Sequence, residues 1–195
     1  MCDAVAVFGT RLQNDGTFLP FVYQEIDRAV AMIETGQAPK FIFCGSHWAG
    51  ESFNGTRECD VVEAYLQRSH PHILPYFLKE GRSTTVQENW LYMKLTFPNI
   101  RRIHHITIMP FLPRMQFCGD WIYGDEGSLT HEALPWPAED FPHEPQLLRD
   151  AQCIFKVFYH MERGDHTFLL YPESDISRWV ALWQGHGNCR SCYPQ

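Results

Sequence analysis

The chain has 195 residues, 45% apolar and 20% charged, a balance that excludes an intrinsically disordered chain and a disulfide-stapled miniprotein. Its 16 Lys and Arg against 23 Asp and Glu give a formal charge of −7, which argues against a general binder of the nucleic-acid backbone. The 14 Phe, 8 Tyr and 6 Trp are an excess whose simplest account is core and sheet packing.

Residues 3–9 (DAVAVFG) form a short apolar run ending in glycine, the pattern of a buried strand. A turn at Asn14-Asp15-Gly16 follows. Over residues 20–36, Phe21, Ile26, Ala29, Val30 and Ile33 recur at helical spacing, and Gly36 suits the C-cap. Residues 40–45 (KFIFCG) read as a second buried strand. Residues 56–69 predict a helix with Val61, Val62, Tyr65 and Leu66 on one side. The stretch 73–78 is a poor strand, since Pro71 and Pro75 limit its pairing. Residues 83–94 predict a helix whose capping signal is Thr85 with Glu88 three residues on. A strand over 103–109, a helix over 112–123 and a strand over 128–134 come next. A Pro-rich loop, a long helix over 145–162 and an amphipathic segment at 174–184 complete the chain.

Strand and helix in alternation predict an α/β fold, a Rossmann-like three-layer α/β/α sandwich with a mainly parallel sheet. The expected division is a domain over 1–163 and an appendage over 164–195. The first residues lack the basic start, apolar stretch and small-residue cleavage site of a signal peptide, and no run reaches the ~18 apolar residues of a membrane span. No membrane anchor is expected. Cys2, Cys44, Cys59, Cys118, Cys153, Cys189 and Cys192 are odd in number and mostly scattered, the usage of reduced thiols in a cytoplasmic protein. His186, Cys189 and Cys192 offer three ligands where a structural zinc takes about four, so no metal site is expected.

Open parallel sheets bind ligands at the C-terminal ends of their strands, where strand order reverses. The unusual polar residues fall on the loops at those ends. Gly9-Thr10-Arg11 ends the first strand, with a glycine that lets backbone amides approach an anion and an arginine to neutralise it. Gly45-Ser46-His47 ends the second and offers a close approach, a hydroxyl and an imidazole. Cys44 precedes it, but burial in an apolar run would silence its thiol as a nucleophile. Glu58 opens the next helix, as a helix-end carboxylate or an acid/base group. Thr85, Glu88 and Asn89 open another; hydroxyls and amides there suit an anion, a capping box is the plainer account, and Asn89 is a poor helix-interior residue. Arg114 follows Pro113 at a helix start, where a guanidinium suits phosphate or carboxylate.

These motifs, in this order, resemble the YdcF/SanA/ElyC-like family of bacterial α/β domains. The resemblance covers about residues 3–162: the strand ending in Gly9, the Asp15-Gly16 turn, Ile26-Asp27-Arg28-Ala29, Gly36-Gln37-Ala38-Pro39-Lys40 leading into Phe41-Ile42-Phe43-Cys44-Gly45, then Thr56-Arg57-Glu58, Ser83-Thr84-Thr85 with Glu88-Asn89, and Pro113-Arg114. It implies a Rossmann-like fold and makes S-adenosylmethionine a candidate ligand or cofactor. The chain departs from the pattern at Thr10 and Arg11, where further glycines are usual, at Ser46 for a glycine, at Glu25 for an arginine and at Phe111 for a histidine.

The leading expectation is a nucleotide-type or other small anionic ligand. Gly9, Thr10, Arg11, Gly45, Ser46, His47, Thr85, Asn89 and Arg114 would bind it, with Glu58 and Glu88 as candidate acid/base groups. One alternative is a hydrolase or transferase acting on a phosphorylated or nucleotide-linked substrate, with Glu58 or Glu88 as general base and Arg114 clamping the transition state. A second is a protein-interaction module built on the aromatics around Trp136 and Phe141.

Overall fold

The computed structural model describes residues 1–47 and 55–135. Nine regular elements alternate along them: β1 (Ala4–Phe8), α1 (Pro20–Glu34), β2 (Phe41–Cys44), α2 (Glu58–Ser69), β3 (Phe77–Glu80), α3 (Val86–Thr96), β4 (Arg102–Ile108), α4 (Leu112–Tyr123) and β5 (Ser128–Leu134). The strands form one five-stranded sheet in the order β3-β2-β1-β4-β5, every neighbouring pair parallel. This is the α/β sandwich that the alternation predicts.

β1 is buried along its whole length, as a central parallel strand covered on both faces must be. Ala4, Ala6 and Phe8 point to one face and Val5 and Val7 to the other, and register carries this division across the sheet. Lys79 of β3 pairs with Asp60 and Glu63 of α2, and Glu132 of β5 takes a bidentate bond from Arg28 of α1 at 2.7 and 3.0 Å. Those contacts place α1 and α2 on the Val5–Val7 face. On the opposite face Trp90 of α3 lies edge-on to Phe8 at 4.7 Å, and Gly119 of α4 lets Leu129 and Trp90 approach closer than any side chain would allow.

Helix ends follow local chemistry. α1 begins at Pro20, whose missing N–H costs nothing in the first turn. It ends in a Schellman motif: the amides of Gly36 and Gln37 bond to the carbonyls of Ile33 and Met32, with Gly36 at φ +70°. The Asp15 carboxylate holds the earlier turn by accepting from the amide and hydroxyl of Thr17.

Several predicted boundaries shift. The second helix starts at Glu58 rather than 56, and the third runs Val86–Thr96, leaving Ser83 and Thr84 in the loop before it. The stretch read as a poor strand holds both a 3-10 turn over Pro71–Tyr76, which absorbs the two prolines, and a strand directly after them. That strand is a short sheet edge, where proline-bounded pairing is tolerated. The Pro-rich loop beyond Pro135, the helix over 145–162, the tail thiols and the domain boundary at 163 lie outside the described residues, as do Trp136 and Phe141. Among the described residues no helix is long and apolar enough to cross a membrane.

Candidate functional site

Strand order reverses between β1 and β4: β2 and β3 extend from one side of β1, β4 and β5 from the other. The β1–β4 ladder ends at Val7–Ile106, whereas β1 stays with β2 through Phe8–Cys44 and β4 with β5 through Ile108–Leu134. The two central strands therefore part at Gly9. This opening is the crevice in which doubly wound sheets place their ligands.

The wall on the β1–β2 side is built from backbone. The Gly9 amide bonds to the Cys44 carbonyl at 2.7 Å, the Gly45 amide to the Glu80 carbonyl at 3.0 Å and the Ser46 amide to the Ser83 carbonyl at 2.8 Å. The Ser46 and Gly45 carbonyls in turn take the first amides of α2, those of Glu58 and Cys59, at 2.8 and 3.1 Å. The loops after β1, β2 and β3 and the start of α2 thus form one hydrogen-bonded unit. Glu80 braces it from below: its buried carboxylate accepts the amides of Arg82 and Ser83 at 2.6 and 3.3 Å.

Glu58 fills the centre of this wall. A Cβ on Gly9 would stand 1.8 Å from Glu58 Oε2, and one on Gly45 would stand 2.4 Å from it. The two glycines make room for that carboxyl. This changes their reading from the sequence, in which they allow an anionic ligand to approach the backbone. Glu58 is 4% exposed, and burial pushes its carboxyl up to about 9, so it is protonated at neutral pH. Across the opening Glu25 of α1 is equally buried and takes a hydrogen bond from the Ile108 amide at the end of β4. Desolvation raises its carboxyl well above the ordinary range.

Four polar atoms on the rim are buried and have no hydrogen-bond partner among the described residues: Thr10 Oγ1, His47 Nδ1, Glu58 Oε1 and Ser83 Oγ. They come from the three loops and the start of α2 that the backbone bonds tie together. Thr10, His47 and Glu58 were legible as candidates. Ser83 was seen only as part of a hydroxyl-rich stretch, and the supporting Glu80 was missed, because a carboxylate ending an edge strand resembles any surface acid in sequence.

The other candidates have more specific placements. Thr85 is the N-cap of α3, its Oγ1 accepting from the Glu88 amide at 3.2 Å. The Glu88 carboxylate reaches back to the amide and hydroxyl of Thr84, both at 2.7 Å. Glu88 is thus held by the residue before the N-cap, a variant of the capping box that supplies a local reason for its presence. Asn89 is buried on the first turn of α3. Arg114 sits in the first turn of α4 with its guanidinium 5.4 Å from the centre of the Phe111 ring, and Arg11 is exposed on the loop after β1. Burial lifts the Cys44 thiol well above its ordinary range, in keeping with an inert structural cysteine. No group of His, Cys, Asp and Glu among the described residues is arranged to hold a metal ion.

The fold and crevice define the class: a doubly wound α/β protein with a polar rim at its switch point. No family model, no curated protein and no solved structure matches the chain.

Proposed function

We propose that the crevice between β1 and β4 binds a small anionic ligand of nucleotide type. The observation that carries this reading is that Thr10 Oγ1, His47 Nδ1, Glu58 Oε1 and Ser83 Oγ, all buried and lacking a partner among the described residues, belong to segments that backbone hydrogen bonds tie together at the strand ends. Buried polar groups are costly without a partner, and a ligand's oxygens would supply one. A protonated Glu58 donates a hydrogen bond instead of repelling an anion, so the carboxyl at the centre of the wall favours this chemistry. The resemblance to the YdcF-like family adds S-adenosylmethionine to the candidates, and its carboxylate is the group this rim would hold.

A second reading, a hydrolase or transferase on a phosphorylated or nucleotide-linked substrate, is favoured by the same carboxyl. With Glu58 held protonated up to about 9, its role at neutral pH would be general acid rather than general base. Glu88 is the weaker candidate for that work, since it already serves Thr84.

Thermal denaturation with nucleotides, S-adenosylmethionine and sugar phosphates tests the binding reading. A ligand at a hundred times its Kd stabilises the folded state by ~2.7 kcal/mol, about 5–10 °C in Tm for a chain of this size. Thr10→Val and Ser83→Ala, each removing one rim hydroxyl, are expected to weaken binding about tenfold. If no compound moves Tm at millimolar concentration, or if the variants bind as the parent does, the crevice is not the site.

A further inference from the structure

The strand ends beside the crevice hold acids of the chain's own where an anion would otherwise sit. In the loop after β3 the adjacent amides of Arg82 and Ser83, the kind of backbone pair that cradles phosphate, are taken by the buried Glu80 carboxylate. A helix start is the other common seat for phosphate. At α3 the Glu88 carboxylate occupies it, accepting from the amide and hydroxyl of Thr84. At α2 the first four amides are all engaged, those of Glu58 and Cys59 by the carbonyls of Ser46 and Gly45 and those of Asp60 and Val61 by the carbonyl of Arg57. Glu58 and Asp60 also put two acids in that first turn.

The neighbouring cations are engaged as well. Arg57 forks onto Asp60 at 2.8 and 2.9 Å, Lys79 pairs with Asp60 and Glu63, and Arg82 pairs with Glu80 and lies over the Tyr92 ring. Arg11 and Arg114 have interactions of their own and are not free. Residues 48–54, next in the chain after His47, include Glu51 and no Lys or Arg. The rim groups that are buried and lack a partner among the described residues are two hydroxyls, an imidazole and the Glu58 carboxyl, which burial holds protonated. Of these only His47 can carry a positive charge, and it can carry one.

We propose that the crevice selects its ligand by charge number: it takes a group with a single negative charge, a carboxylate or the monoanion of a phosphate ester, and excludes di- and triphosphates. The proposal rests on the reading of the crevice as an anion site and narrows it. One charge is within the means of neutral donors and a single imidazole. Each further charge is placed near Glu80, Glu88 and Asp60, while the cations of these loops are already paired, and like charges repel. Sites made for polyphosphates are built the opposite way, with open backbone amides and a Lys or Arg on the phosphates.

The test is isothermal titration calorimetry on the full-length protein, in the absence of divalent metal, with adenosine 5′-carboxylate and adenosine 5′-mono-, di- and triphosphate, and with the same series built on guanosine, cytidine and uridine. The di- and triphosphate are expected to bind at least about threefold more weakly than the carboxylate, and added salt is expected to narrow the gap by screening the repulsion. Glu88→Gln, which keeps an acceptor for Thr84 and removes the charge, is expected to tighten the diphosphate about two- to fivefold relative to the carboxylate. A diphosphate that binds as tightly as the carboxylate or tighter, or a preference that Glu88→Gln leaves as wide as in the parent, overturns the proposal. Affinity that climbs with each phosphate and falls with salt leaves the crevice as an anion site and removes only the charge limit. If no member of any series binds, the crevice reading itself fails and the charge limit with it.

Discussion

Gly9, Gly45 and Glu58 act as one feature. The glycines lack the atoms that Glu58 needs removed, and Glu58 fills the space they leave. Gly9→Ala is expected to destabilise the protein by about 1–3 kcal/mol, the range for forcing an extra carbon into a packed position. Glu58→Ala in the same chain is expected to recover a large part of that loss, because the new methyl then has room. Urea unfolding of the two single variants and the double variant gives the coupling directly. Additive effects would mean that the glycine is needed for its backbone alone. Sequence reading singled out all three residues but assigned the glycines to a ligand. Which group occupies a glycine's empty space is a tertiary matter, since Glu58 is 49 residues from Gly9 in the chain.

At the scale of elements, the rim depends on how helices begin. The carbonyls of Gly45 and Ser46 cap α2 without any side chain, so sequence gave no cap signal there and its start was placed two residues early. α3 is the opposite case. The Thr85–Glu88 spacing was readable, and the structure has the Thr85 bond to Glu88 with the Glu88 carboxylate returning one residue earlier, to Thr84. Thr85→Ala is expected to lower stability by about 1 kcal/mol, the ordinary worth of an N-cap, and to lower Tm by roughly 2–4 °C. Thr85→Ser, which keeps the acceptor, is expected to stay near the parent by differential scanning calorimetry. An equal loss in both would assign the effect to the threonine methyl rather than to the cap.

For the whole molecule, buried acids at the sheet's C-terminal edge shape the response to pH. The Glu58 carboxyl is raised from 4.5 to about 9 in the folded protein. The folded state then holds a proton that the unfolded chain has released, so the stability associated with Glu58 is full below pH 4.5 and is lost as pH rises toward about 9. Glu25 is raised in the same direction, while buried His105 is lowered and acts below its ordinary range near 6.5. The window from pH 7 to 8.5 therefore isolates the acids. Over it the parent is expected to lose stability relative to Glu58→Gln by about 1 kcal/mol per pH unit, up to the limit set by one proton. Parallel curves for parent and variant, from urea unfolding at several pH values, would show that Glu58 is already ionised at neutrality. The same titration should weaken binding of an anion to the crevice above pH 9.

Sequence by itself determined the order of elements, the parallel α/β architecture and the loops that carry the polar residues. Periodicity is a local property: β1 and β2 are continuous apolar runs because both their faces are covered, and α4 and β5 were legible to the residue. β3 was half hidden because a four-residue edge strand behind two prolines has little pattern to show. Only the tertiary structure decided what those residues do. It put Glu58 between two glycines, Glu25 on the end of β4, and His105 against His131 beneath Trp90 and Tyr123. In each case burial sets the chemistry by holding an acid or an imidazole neutral, and burial is a sum over neighbours that lie far apart in the chain.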